Sequence, residues 1–318
     1  MIVGDASISD GAGAIMRGDS ARTIQSGGLT RTFLLHVPLS YDGSADVPLV
    51  LAYHGHGGTG RGQALVTHMS DVADANGFIA AYPNGVDHGW NDGRRHLKDA
   101  RPPVDDVGFT ADLITHLAAD YRIDPSRVYA TGFSQGGFMC FRLARDLPDL
   151  IAAIAPVSGL LSQDLVDGFS STVPVSLLMV MGTGDPLVAY GGRDGASALG
   201  QKWGALLSAP DTARFFVTLN GCSPAGCTVT LPGAAPADGI TTEQTVWTGG
   251  RQGTEVWLYT VNGGGHTWPG GRRYSPMRVT GPLAKDFDAS AAIWGFFAAH
   301  PRGDTETSDR RAEARDRL

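Results

Sequence analysis

Short apolar runs recur along the chain, separated by segments of helical spacing or by glycine-rich turns. Residues 32–37, 48–54, 78–82, 127–132, 151–157, 175–181, 215–218 and 255–261 read as strands. Several are continuously apolar rather than alternating, the pattern of a strand buried on both faces. Helical patterns fill the gaps. Asp106 is predicted to cap a helix whose apolar face carries Phe109, Leu113, Ile114 and Leu117. Asp288 is predicted to cap a last helix with Ile293, Trp294, Phe296 and Phe297 inward, stopped near Pro301. Strands alternating with helices predict an α/β fold with a mostly parallel central sheet flanked by helices on both faces.

The ends read differently. Residues 1–29 are rich in Gly, Ser and Ala and are expected to form a flexible arm. Residues 30–300 are expected to form a single α/β domain, and residues 301–318 a solvated, charged tail.

Composition narrows the function classes. The chain has 318 residues and a formal net charge of -7, which argues against nucleic acid as a partner. No apolar run approaches the roughly 18 residues that span a bilayer, so a soluble protein with no membrane partner is expected. No secretory signal is evident after Met1. The compartment, secretion of the native form included, and the oligomeric state stay open. Of the three cysteines, Cys140 lies in an apolar helical stretch and reads as a core residue. Cys222 and Cys227 flank a short turn and read equally as a small disulfide or as two thiols. The 44 glycines are about twice the usual share of roughly 7%, and they cluster at turns.

One of these clusters carries chemistry. Gly132-Phe133-Ser134-Gln135-Gly136 fits G-x-S-x-G, the turn that exposes a nucleophilic serine between a strand and a helix. In so glycine-rich a chain the pentapeptide carries little weight alone. Its setting carries more, because a strand-like run precedes it and a helical one, residues 138–144, follows. A serine needs a base, and in this arrangement the acid and then the histidine follow along the chain. Only His266 and His300 follow Ser134. His300 ends the last helix, whereas His266 stands in a glycine-rich loop directly after a strand, so His266 is the expected base. The acid should follow a buried strand at the same sheet edge. Asp185, in the turn after residues 175–181, meets this condition, and Asp194 in the same loop competes. The backbone N–H groups of Gln135 and His56, with Gly57 as a neighbouring choice, are expected to form the oxyanion hole. The imidazoles of His54 and His56 read as structural. No metal or organic cofactor is expected.

Two rival readings are weaker. Residues 55–60 also fit G-x-G-x-x-G, the dinucleotide fingerprint. An NAD-dependent oxidoreductase would need an acid at the end of the next strand, and that strand ends Ala80-Ala81-Tyr82-Pro83. An inert binding protein of the same fold would not need Ser, Asp and His in order.

Several motifs occur together. These are His54-Gly55, Tyr82-Pro83-Asn84-Gly85, Trp90-Asn91, Asp105-Asp106-Val107-Gly108-Phe109 and Asp124-Pro125-Ser126-Arg127-Val128-Tyr129. Residues 132–137, Gly182-Thr183-Gly184-Asp185-Pro186, His266-Thr267-Trp268-Pro269-Gly270, Asp288-Ala289 and Ile293-Trp294 complete the set. In this order, over about residues 31–300, the chain resembles the bacterial esterases that include feruloyl esterases and polyhydroxybutyrate depolymerase-like proteins. The resemblance implies an α/β-hydrolase fold, the triad Ser134, Asp185 and His266, and Trp90 and Trp268 near the mouth of the acyl pocket. Many members carry a cysteine where this chain has His56, and many are exported. The short stretch after the last core helix leaves no room for a polymer-binding module, which lowers the expectation of a dedicated solid-polymer depolymerase. The expected substrates are feruloyl- or acetyl-type esters of plant polysaccharides or related small esters, with polyester oligomers as the alternative.

Overall fold

A computed structural model describes residues 16–94, 104–169, 173–197, 200–201, 204–232 and 239–303. Along the chain the elements are β1 (Gly18–Ser26), β2 (Leu29–Val37), β3 (Val47–Tyr53), α1 (Gly60–Thr67), α2 (Met69–Asn76) and β4 (Ile79–Pro83). Then come α3 (Asp106–Asp120), β5 (Ile123–Phe133), α4 (Gln135–Asp146), β6 (Ala153–Val157), α5 (Gln163–Val166) and β7 (Ser176–Gly182). The last are α6 (Ala209–Asn220), β8 (Cys227–Thr230), β9 (Thr241–Trp247), β10 (Val256–Asn262), α7 (Met277–Thr280) and α8 (Ala289–Ala299).

The strands form one sheet in the order β1-β2-β4-β3-β5-β6-β7-β10-β9-β8. From β4 to β10 neighbouring strands are parallel, and antiparallel strands complete both edges. β4, β6 and β7 are buried at every position, as their continuous apolar runs require. Two apolar clusters, one on each face, hold the helices to the sheet. On one face Phe141 of α4 meets Phe216 of α6; on the other Tyr129 of β5 stacks on Phe297 of α8. No helix among the described residues is long and apolar enough to cross a membrane.

Three expectations change, and one open alternative, at the cysteines, is decided. Residues 18–26, expected within a flexible arm, form the edge strand β1, paired along its length with β2. Its apolar face is short, with Ile24 buried among polar neighbours. Residues 215–218, expected as a strand, lie inside α6. There Ala209, Thr212, Ala213, Phe216, Val217 and Asn220 are buried at helical spacing behind a Ser208 cap, and this period overrides the β-prone Phe-Phe-Val-Thr run. Asp105, not Asp106, caps α3, accepting from the Gly108 N–H at 2.8 Å. The cysteines are free: Cys222 turns inward toward the Thr254 carbonyl, Cys227 is exposed on β8, and Cys140 lies in the core. Of the expected tail, residues 304–318 lie outside the described residues, and the Arg302 N–H donates to the Ser126 carbonyl.

Asp106 is released from capping for another task. Its Oδ1 accepts from Arg31 at 2.7 Å and its Oδ2 from the Asn91 N–H at 2.7 Å, with both charged side chains buried. Burial raises the Asp106 pKa, against the opposing pull of the Asn91 N–H and Arg31. The Arg31 guanidinium also lies 3.8 Å from the centre of the Phe109 ring. Removing one partner strands the other charge, a loss of about 3–5 kcal/mol. Asp106→Ala should therefore lower the unfolding free energy by about that amount, as measured by urea titration. A loss below about 1 kcal/mol would show that Arg31 finds another partner.

Candidate active site

Ser134 occupies the corner between β5 and α4. Its φ is 54° and its ψ -115°, outside the regions that L-residues favour. Close packing forces the corner. A Cβ on Gly136 would lie 2.1 Å from the Tyr53 carbonyl oxygen, and one on Gly132 would lie 2.3 Å from the Gly136 carbonyl oxygen. The Ser134 N–H donates to Val157 of β6 at 2.9 Å, and its carbonyl accepts from Gly137 and Phe138 as α4 begins.

His266 lies beyond the end of β10. Its Nδ1 is 2.7 Å from Asp185 Oδ2, and both side chains are buried. A carboxylate can only accept, so Nδ1 carries the proton; in the neutral ring Nε2 holds the lone pair. Asp185 Oδ1 is occupied by the N–H groups of Leu187 and Val188, each at 2.8 Å. Asp194, the competing acid, is exposed and accepts from the Ala196 N–H in its own turn. The His266 N–H donates to Thr280 at 2.6 Å, and the Tyr274 hydroxyl donates to the His266 carbonyl at 3.2 Å. His300 is held elsewhere, beside Phe296 and Glu255.

Ser134 and His266 line one cavity of about 380 Å³. No direct hydrogen bond joins them among the described residues, and catalytic contacts of this kind often tighten only when substrate binds. The walls are largely apolar, with Val66, Phe133, Leu187, Tyr274 and Val279, and the loop His54–Gly58 closes one side. In that loop the Gly57 N–H is spent on the His88 carbonyl at 2.8 Å, and the Gly58 N–H on Gly55. The N–H groups of His56 and Gln135 have no partner among the described residues. Gly57 therefore drops out as an oxyanion donor.

His54 is structural. Its Nδ1 faces the Gly55 carbonyl at 2.8 Å, and its Nε2 accepts from the Gly85 N–H at 3.0 Å, which fixes a neutral tautomer. Burial drives its pKa down to about 4. Trp90 and Trp268, expected at the pocket mouth, do not line the cavity. Trp90 is buried against Tyr53 and His54, and its indole N–H donates to the His54 carbonyl at 2.8 Å. Trp268 is fully buried and donates to Ser290 Oγ at 3.0 Å, which in turn donates to the Thr67 carbonyl. Both indoles have a buried polar atom to satisfy, and satisfying it turns them into braces for the loops that form the site. Gln63, Tyr274 and Val279 line the cavity without any motif that marks them in the sequence.

A strand–serine–helix corner sharing a cavity with a buried His–Asp pair, on a largely parallel sheet, is the arrangement of the α/β-hydrolase type. Comparisons with known proteins agree. The sequence profile described as Esterase PHB depolymerase matches residues 33–189. NocK of Nocardia uniformis subsp. tsuyamanensis, a protein assigned as an esterase, is 34% identical over 79% of this chain and 74% of its own length. The chain belongs to this esterase family, and the protein is a carboxylic ester hydrolase. Feruloyl esterase C of Emericella nidulans is 28% identical over 85% of this chain and 84% of its own. Feruloyl esterase B of Piromyces equi is 29% identical over 74% of this chain, which spans 42% of that longer relative. The structure of an acetyl xylan esterase from Aspergillus awamori superposes with a TM-score of 0.57 at 16% identity. It covers 88% of this chain and 99% of that one, and it shows the shared fold.

The depressed pKa of His54 has a signed consequence for stability. The folded value lies below the unfolded one of about 6.5, so the unfolded state binds the extra proton first. The contribution is complete above about pH 6.5 and is lost as pH falls toward 4, amounting to about 1–3 kcal/mol. Urea midpoints at pH 7.5 and 5 should therefore fall further apart in the wild type than in His54→Gln. Equal drops would remove His54 as the cause.

Proposed function

We propose that Ser134, His266 and Asp185 act as nucleophile, general base and orienting acid, with the N–H groups of His56 and Gln135 as the oxyanion hole. The observation that carries this reading is the buried 2.7 Å His266–Asp185 contact on the cavity that Ser134 lines. His266 Nε2 takes the Ser134 hydroxyl proton as Oγ attacks the ester carbonyl, and the two N–H groups receive the charge that forms on the carbonyl oxygen. Collapse breaks the bond to the alkoxy oxygen, which leaves as alcohol with the proton from His266. Water then attacks the acyl-serine, His266 takes its proton, and the acid departs as the proton returns to Ser134. Asp185 holds the imidazole and stabilises its charged form.

The proposed substrates are feruloyl- or acetyl-type esters of plant polysaccharides, or related small esters. Support comes from the names of the feruloyl esterase relatives and from the apolar cavity of about 380 Å³, suited to a compact acyl group. Oligomers of hydroxyalkanoates are the second reading, favoured by the description of the matching family.

Ser134→Ala should lower kcat on p-nitrophenyl acetate by about 10⁶, and Asp185→Asn by about 10⁴. Retention of the wild-type rate by Ser134→Ala would reject the mechanism. Rates on methyl ferulate, p-nitrophenyl esters of graded length and hydroxybutyrate oligomers rank the substrates; a wild type faster on the oligomers than on methyl ferulate would favour the second reading.

A further inference from the structure

One buried polar side chain on the cavity has no task in this mechanism. Gln63 stands in the middle of α1, with its N–H donating to the Thr59 carbonyl and its carbonyl accepting from Thr67 Oγ1, each at 2.9 Å. Its side chain lines the cavity that holds Ser134, yet the residue is only 3% exposed. The amide nitrogen Nε2 is buried and has no hydrogen-bond partner among the described residues. The cavity wall mixes apolar Val66, Phe133 and Leu187 with polar Ser134, Tyr274 and Thr280, and none of them accepts from this amide. Buried donors without partners are rare in native proteins, and a cavity is where a partner can enter. The last torsion of a glutamine is broad, so rotation about it can bring the NH₂ group to the open space.

We propose that Gln63 is a specificity-determining residue whose amide donates a hydrogen bond to a hydroxyl oxygen on the acyl group of the ester. The inference rests on the reading of this cavity as the acyl site. The acyl group becomes bonded to Ser134 in the first half-reaction and leaves it in the second, so it occupies the site in each transition state and the contact is available in both. An apolar acyl group of the same shape leaves the donor unpaired, and a site built to pair a polar group discriminates on that ground. Two kinds of acid meet the requirement, a ring bearing a phenolic hydroxyl and a short chain bearing an aliphatic one.

Matched ester pairs separate these cases. Methyl p-coumarate is compared with methyl cinnamate, and p-nitrophenyl 3-hydroxybutyrate with p-nitrophenyl butyrate. Within a pair the alcohol is identical, so only the acyl oxygen differs. The wild type should favour the hydroxylated member of at least one pair by about tenfold in kcat/KM, the effect of one good hydrogen bond. In Gln63→Leu that ratio should fall to within about twofold of one. A change in the ring pair identifies the phenolic oxygen, and a change in the chain pair the aliphatic one. Gln63→Met, a second apolar side chain of similar reach, is read in the same way. Because the substitution removes an unpaired buried amide, Gln63→Leu should melt no lower than the wild type. A ratio unmoved in both variants, or a clear drop in melting temperature, overturns the inference. Wild-type hydrolysis of p-nitrophenyl acetate that is lost in Ser134→Ala tests the catalytic reading separately. A wild type active on acetate with ratios insensitive to Gln63 overturns the Gln63 role alone, and one inert to every ester overturns both.

Discussion

At Ser134 the backbone is held where few L-residues go, at a cost on the order of 1–3 kcal/mol, by contacts on every side. β6 takes its N–H, α4 takes its carbonyl, and the carboxyl end of β3 approaches so closely that Gly136 has no space for a Cβ. The corner therefore depends on the register of three parallel strands, β3, β5 and β6. Any slip in that register would separate Tyr53 from Gly136 and Val157 from Ser134. The same register sets the facing loop, because His54 and Gly55 continue directly from β3, and a Cβ on Gly55 would lie 3.3 Å from Ser134 Cβ.

Behind the corner, charge does the bracing. The segment Trp90–Arg94 carries no regular structure, yet every residue but Gly93 is pinned. Trp90 donates to His54, the Asn91 N–H donates to Asp106, and Asp92 pairs with Arg94 while accepting from Gln135 Nε2 at 3.3 Å. The Gln135 side chain also donates to the Trp90 carbonyl at 3.0 Å. The residue that follows the serine thus uses its side chain to fasten the loop that fixes His54, while its own N–H has no partner among the described residues. Its Oε1 is buried without a partner among the described residues.

The central strands were legible in the sequence because burial on both faces demands continuous apolar runs, as in β4, β6 and β7. Edge strands escape that demand. β8 is exposed at every residue and β1 alternates among small and polar ones, so neither carries a hydrophobic signal. Ser134, His266 and Asp185 could be picked out by order and by their position after strands, since that is a topological requirement. Trp90 and Trp268 could not be placed, because an aromatic beside a site reads alike whether its ring faces substrate or the indole N–H is recruited to brace a loop. Gln63 gave no signal at all. A lone glutamine in a glycine-rich helix acquires meaning only when its amide is found without a partner on the cavity wall.

Three aspartates near the site have almost fully buried side chains, and they differ in what balances them. Asp106 faces Arg31 and Asp92 faces Arg94, permanent cations that make each pair a fixed structural unit. Asp185 has no arginine among the described residues; its partners are two backbone N–H groups and the ring of His266. Two N–H dipoles hold a carboxylate in place but do not cancel its charge. Full compensation comes only when the ring gains a proton, the event that the proposed mechanism requires as Ser134 attacks. A carboxylate paired with an arginine would have its charge already spent and would give little to the imidazolium. The same buried residue type therefore forms a fixed ion pair at two positions, and at the third, in the proposed mechanism, it faces the charge that the ring gains as Ser134 attacks.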